Sequence, residues 1–171
     1  NYSNGDSIPE ITNGWLWGEA GYGAVSRYNS SITNCNPHCN DENAIFGNLY
    51  NWFAVADPRG LCPTGWHVSS DTDWINMMIT LGADEESATW PCASCSESEQ
   101  AEMIKLEHPN FGSWTGNNSS GLGVLPGGQR GTGASTFQQI GQSGFFWTSS
   151  EYNLFQGWVR RINDSIDRWY Y

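Results

Sequence analysis

The sequence predicts one α+β domain in which two helices pack on a small, twisted antiparallel sheet joined by long ordered loops. Three observations lead there. At 171 residues the chain fits a single domain able to bury a sizeable core. Its apolar content is concentrated in large anchors: ten Trp, seven Tyr and seven Phe stand against three Met, with twenty Gly between them. That is the composition of short strands and loops pinned by aromatic rings, and a disordered chain lacks it. Helical periodicity, finally, occurs in only two places, while everything after residue 110 reads as short apolar runs between turn residues.

Residues 1–34 form an irregular opening with aromatic anchors at Trp15, Trp17, Tyr22 and Tyr28. Gly14, Gly18, Gly21 and Gly23 argue against a long helix there. A polar, Cys-bracketed loop follows over 35–43. The apolar run 46–55 suits either a strand or a buried helix, because length alone does not separate them. Asp57-Pro58-Arg59-Gly60 then reads as a turn.

The stretch from Leu61 to Trp74 holds a turn at Pro63 and Gly65, a short half-buried strand in which Trp66 and Val68 alternate with His67, and a helix start capped by Ser69 or Ser70. Trp66 and Trp74 are expected to anchor sheet to helix. The first helix spans about 71–81, with Trp74, Met77, Met78 and Leu81 on one face, acidic Asp71 and Asp73 in its first turn, and Gly82 as its stop. The second spans about 96–107 from a Ser96 or Ser98 cap. It turns Ala101, Ile104 and Leu106 inward and ends at His108-Pro109. Beyond it, Leu122 to Leu125, Phe137, Phe145 to Trp147 and Trp158-Val159 mark the strands of an irregular sheet. No repeat or linker divides the chain.

Charge narrows the partners. A net charge of −11 with only seven Lys plus Arg argues against a phosphate-binding surface and so against nucleic acid, with Arg160, Arg161 and Arg168 near the C-terminus as a local exception. No run approaches the roughly 18 apolar residues of a membrane helix. The chain opens on polar Asn1 without a signal peptide, as a mature or trimmed product would. Of the five Cys, Cys35 and Cys39 form one close pair and Cys92 and Cys95 another, with Cys62 single. Two local disulfides in an oxidising compartment fit this pattern, and a zinc site joining the four, with His38, is the rival reading. Asn40-Asp41-Glu42-Asn43 and Asp84-Glu85-Glu86 are hard-oxygen clusters suited to a structural calcium, with Asp41, Glu42, Asp84 and Glu85 as ligands. No other cofactor is expected, and no G-x-S-x-G elbow, P-loop or Rossmann fingerprint occurs. With only His38, His67 and His108 available, a His-rich iron site has few candidates.

Four ordered segments carry a family resemblance: Gly47 to Val55, the block Asp57-Pro58-Arg59-Gly60-Leu61-Cys62-Pro63-Thr64-Gly65-Trp66-His67-Val68, Gly121 to Arg130 (GLGVLPGGQR), and Gly144 to Tyr152 (GFFWTSSEY). Together they resemble the Fibrobacter succinogenes major paralogous domain, in the formylglycine-generating-enzyme branch of the C-type lectin fold. The resemblance implies a C-type-lectin-like scaffold used for binding. It also implies a closing segment of the form G-F-S-V-R-C-V-R whose Cys would pair with Cys62. The chain stops at Arg168-Trp169-Tyr170-Tyr171, so the resemblance predicts that a final strand is missing. A free buried thiol at Cys62 is the alternative. Related formylglycine-generating enzymes use a late Cys pair, and no Cys follows Cys95 here.

From Tyr152 to Tyr171 the chain is dense in aromatic, Arg and Asn residues, a composition suited to protein recognition. Its position resembles the variable region of diversity-generating-retroelement proteins, where fixed and varied positions alternate. That resemblance casts Trp158, Arg160 and Arg168 as scaffold. It makes Asn153, Phe155, Val159, Arg161, Asn163, Asp167, Trp169 and Tyr170 display positions, which with Tyr152 as a further anchor are the ligand-binding candidates. The alternative is that they are ordinary strand and loop residues, some buried against the missing final strand. The expected function is extracellular or surface recognition of a protein or glycan, without catalysis. A structural subunit of a surface fibre or phage tail, and a degenerate metal-dependent oxidase, are the alternatives.

Overall fold

The computed structural model describes residues 1–28, 46–89, 98–107, 111, 113–132, 137–163 and, for the backbone, 166–170. Asn13 opens helix α1 (Gly14–Glu19), its side chain accepting hydrogen bonds from the amides of Trp15 and Leu16. Within so short a helix Trp17 turns inward while Trp15, two residues earlier, faces water. Strand β1 (Val25–Ser26) pairs antiparallel with β2 (Leu49–Tyr50). The ambiguous run 46–55 is therefore strand and then helix. The switch is Asn51, whose carboxamide oxygen accepts from the Ala54 amide at 3.1 Å and caps α2 (Trp52–Val55), while also accepting from Ala24 at 2.8 Å. The turn at Asp57 becomes a clamp. Arg59 pairs with Asp57 at 2.8 Å and Asp6 at 3.1 Å, and its guanidinium lies 3.9 Å above the Tyr2 ring.

Helix α3 (Asp71–Thr80) begins as expected. The Ser70 hydroxyl accepts from the Asp73 amide and the Asp73 carboxylate accepts from the Ser70 amide, a reciprocal capping box. The Ser70 hydroxyl and then its amide, both donating to the Asp73 carboxylate, hold that carboxyl below its ordinary pKa. Helix α4 (Glu85–Thr89) follows, then α5 (Ser98–Ile104). The latter stops short of the expected 107 because Lys105 bridges in parallel to Val124, and the Leu106 amide donates to the Val124 carbonyl at 2.9 Å. Leu106 thus lies past the helix, exposed instead of inward.

Among the described residues there are five helices and three small antiparallel sheets, where the sequence suggested two helices on one sheet. The Gly-rich segments limit β1–β2 and the pair β3 (Gln129–Arg130) and β4 (Phe137–Gln138) to two residues per strand. The third sheet, in order β5 (Gly144–Asn153), β6 (Gln156–Ile162) and β7 (Ile166–Tyr170), organises the molecule. On one side Ile162 and Phe146 meet Trp74, Met78, Ala88, Ala101, Ile104, Trp114 and Val124, the main core built from α3, α4 and α5. On the other side a Cβ at Gly157 would fall 2.1 Å from the Trp52 ring, so only glycine lets β6 approach α2. Trp52 and Trp147 meet there at 5.7 Å, their rings tilted by 43°.

The strand expected at Trp66 does not form. The Trp66 amide donates to the Pro63 carbonyl at 3.0 Å, closing a tight turn with Gly65 at φ +87°. Residues 66–70 then run without regular secondary structure, with the Ser69 carbonyl accepting from the Ser149 amide of β5. Trp66 is 78% exposed and anchors nothing, whereas Trp74 is buried against Phe146. Cys62 carries a free, partly buried thiol. The pairs Cys35–Cys39 and Cys92–Cys95, together with Asp41, Glu42, His38 and His108, lie outside the described residues.

Candidate functional site

The β5–β6 hairpin divides along its length. At its base the Arg160 guanidinium, fully buried, donates from Nε and Nη2 to Asp71 Oδ1 at 2.9 and 2.6 Å. The Asp71 amide donates to Ser150 Oγ at 3.0 Å, so the start of α3 is bolted to both strands. Toward the apex the β5 residues from Glu151 on become exposed, after register irregularities between Trp147 and Asn153.

Asn153 and Gln156 are direct partners, which leaves Leu154 and Phe155 as the two central residues of a two-residue hairpin. Such turns usually hold Gly or Asn because they require positive φ. Neither Leu154 nor Phe155 has positive φ. The turn is held from its flanks: the Asn153 carboxamide accepts from the Phe155 amide at 2.9 Å and donates to Gln156 Oε1 at 2.7 Å. Just below, Tyr152 meets Trp158 edge to face at 5.1 Å. Leu154 is 77% and Phe155 72% exposed, and Tyr152 is also exposed.

The nine candidate positions do not form one patch. Tyr152, Asn153 and Phe155 gather at the apex. Val159 is 3% exposed, a correction to its candidate role, because its side of β6 packs toward α2. Arg161 and Asn163 are half-buried at the opposite end of β6, about 20 Å of strand away. The Asn163 carbonyl accepts from the buried Lys105 ammonium at 2.9 Å. In β7, Asp167 lies opposite Arg161, Trp169 opposite Val159 and Tyr170 opposite Trp158. The side chains of Asp167, Trp169 and Tyr170 lie outside the described residues. Of the expected scaffold positions, Arg160 is buried, Trp158 half-buried, and Arg168 lies opposite Arg160. Leu154, the most exposed of the large apolar residues at the apex, is not singled out by the sequence. Its signal was a hairpin turn without Gly or Pro.

Of the calcium candidates, Asp84 caps α4. Its carboxylate accepts from the Ser87 amide at 2.8 Å and hydroxyl at 2.7 Å, which lowers its pKa. Glu85 is exposed in the first turn of that helix. Among the described residues no group of three or more His, Cys, Asp or Glu side chains is placed to hold a metal. His67 is exposed, its Nε2 3.5 Å from Asp73. No helix among the described residues is long and apolar enough to cross a membrane.

The four motif segments therefore meet in one architecture: the Asn51 cap, the Asp57–Arg59 clamp with the turn at Pro63, buried Arg130 between Trp17 and Phe137, and the β5–β6 sheet. The model of the Fibrobacter succinogenes major domain matches residues 1–170. The chain belongs to that family. No curated protein and no solved structure matches it. In this Fibrobacter succinogenes major domain the segment Gly121 to Arg130 ties the N-terminal helix to the rest. Arg130 donates to Ser26 Oγ at 2.8 Å and to the Thr12 carbonyl at 2.7 Å. Within the segment Gly144 to Tyr152, Trp147 Nε1 donates to the Tyr50 carbonyl at 2.8 Å. Both segments serve the scaffold, the second as far as Ser150, and the chain faces solvent over residues 151–155 before β6 returns to the core.

Proposed function

We propose that this domain is an extracellular recognition module that binds a protein or glycan through the apex of the β5–β6 hairpin and performs no chemistry. The observation that carries the reading is the pair Leu154–Phe155. Two large apolar side chains occupy the two central positions of the turn, and both stand in water. Large apolar side chains gathered in water at one turn, with exposed Tyr152 beside them, are the feature of an interaction surface. Tyr152 and the Asn153-locked turn supply rigidity, which lowers the entropy lost on binding.

We further read the scaffold as C-type-lectin-like, of the formylglycine-generating-enzyme branch, with the segment from Tyr152 on as the varied region of a retroelement-diversified protein. The four ordered motif segments support this reading. The two close cysteine pairs support an extracellular location.

The test is a screen of glycan arrays and a surface-protein panel with the parent chain and with a Leu154→Ser/Phe155→Ser variant. A ligand held by the parent and lost by the variant, at unchanged melting temperature, is the expected result. A ligand held equally by both contradicts the reading. Self-association abolished by the same variant would favour an assembly subunit instead.

A further inference from the structure

A second, separate surface lies on the outer side of α1, where Trp15, Gly18, Glu19 and Thr132 line a shallow recess. Trp15 and Glu19 stand at i and i+4, so the indole and the carboxylate share one side of the helix. Trp15 is 66% exposed, and Leu16 and Tyr22 nearby in sequence are exposed as well. No described cation pairs with Glu19. Arg27 pairs with Glu10 at 3.3 Å, Arg59 with Asp6 and Asp57, and Arg130 is buried against Trp17, Ser26 and the Thr12 carbonyl.

We propose that this recess binds an alkylammonium group, with a lysine side chain of a partner protein as its source. An indole face attracts a cation, and the methylene stem of lysine can cover the same ring. The Glu19 carboxylate receives the charge, and the Thr132 hydroxyl can accept one ammonium N–H. The net charge of −11 draws cationic partners toward the domain and repels anionic ones. The inference is independent of the hairpin apex, which shares no residue with the recess.

The experiment uses the ¹⁵N-labelled chain, following the Trp15 indole and the Gly18 and Thr132 amides. The probes are Nα-acetyl-lysine methylamide, its Nε-acetylated form, n-butylammonium and methyl β-glucopyranoside. Saturable shifts with the lysine probe and affinity at least about fivefold weaker for the neutral acetylated form are expected. Trp15→Ala should weaken binding about fivefold. Glu19→Gln should weaken it about threefold, as loss of one exposed charge does. Both substitutions are at exposed positions, and unchanged amide dispersion elsewhere confirms that the fold is kept. A lysine probe tighter than n-butylammonium supports a protein source, and equal affinity overturns that source. No response, an equal response to the acetylated probe, or a response to the glucoside alone overturns the ammonium site. The Leu154→Ser/Phe155→Ser variant should bind these probes like the parent, so failure here is distinguishable from failure at the apex.

Discussion

The base and the apex of the β5–β6 hairpin belong to the same two strands and obey opposite rules. At the base, Phe146, Arg160 and Ile162 are committed to α3 and the core around Trp74 and Met78. At the apex, Tyr152, Leu154 and Phe155 face water above a turn held by Asn153. The contrast teaches that one hairpin carries both a packed scaffold and a solvent-facing surface. The change falls after Ser150 on β5 and before Gly157 on β6.

Breaking the base should produce the largest effects. Asp71→Ala would leave the fully buried Arg160 guanidinium without its carboxylate, and a loss of about 3–5 kcal/mol is expected in urea unfolding. Ile162→Ala opens a cavity between β6 and the helices and should cost about 2–5 kcal/mol by the same measurement. Ser70→Ala removes the cap of α3 while leaving its buried face intact, for about 1 kcal/mol.

Acid should act on the clamp and the caps. Asp6, Asp57, Asp73 and Asp84 all have lowered pKa values. For Asp57 the main cause is Arg59, for Asp6 it is Asn4 followed by Arg59, and for Asp73 and Asp84 it is hydrogen bonding from Ser70 and Ser87. A carboxylate lowered on folding contributes stability above its unfolded pKa, near 3.9, and loses that contribution as pH falls through the folded value. Melting temperature should therefore stay level from neutrality to about pH 5 as far as these groups decide it, then fall steadily below about pH 4. Arg59→Ala should flatten that fall, because it removes the partner of Asp57. An unchanged acid profile in the Arg59→Ala protein would show that the clamp contributes nothing. The smallest stability effect belongs to the apex, where Leu154→Ser/Phe155→Ser should stay within about 0.5 kcal/mol of the parent.

What could be read from sequence follows the same division. The α3 start was legible because Ser70, Asp71 and Asp73 carry a local capping signal that tertiary contacts do not override. The run 46–55 was not, because its switch depends on Asn51 bonding to Ala24, distant in sequence. Trp66 was misread from an alternation only three residues long, which a turn at Gly65 satisfies as well as a strand does. Val159 was cast as a display position by analogy with alternating scaffolds, yet β6 is packed on both sides, by α3 with its neighbours and by α2. Alternation therefore does not separate inside from outside there. Leu154 escaped notice because exposure at a turn is a property of the pairing of Asn153 with Gln156, which only the register reveals.

Hydrogen exchange with and without the ligand found by the screen addresses the division of base and apex most directly. The expected result is new protection at residues 151–156 on ligand addition, with the already slow amides of 144–148 and 158–162 unchanged. Protection gained at the base or elsewhere, with 151–156 untouched, would contradict the apex as the recognition surface.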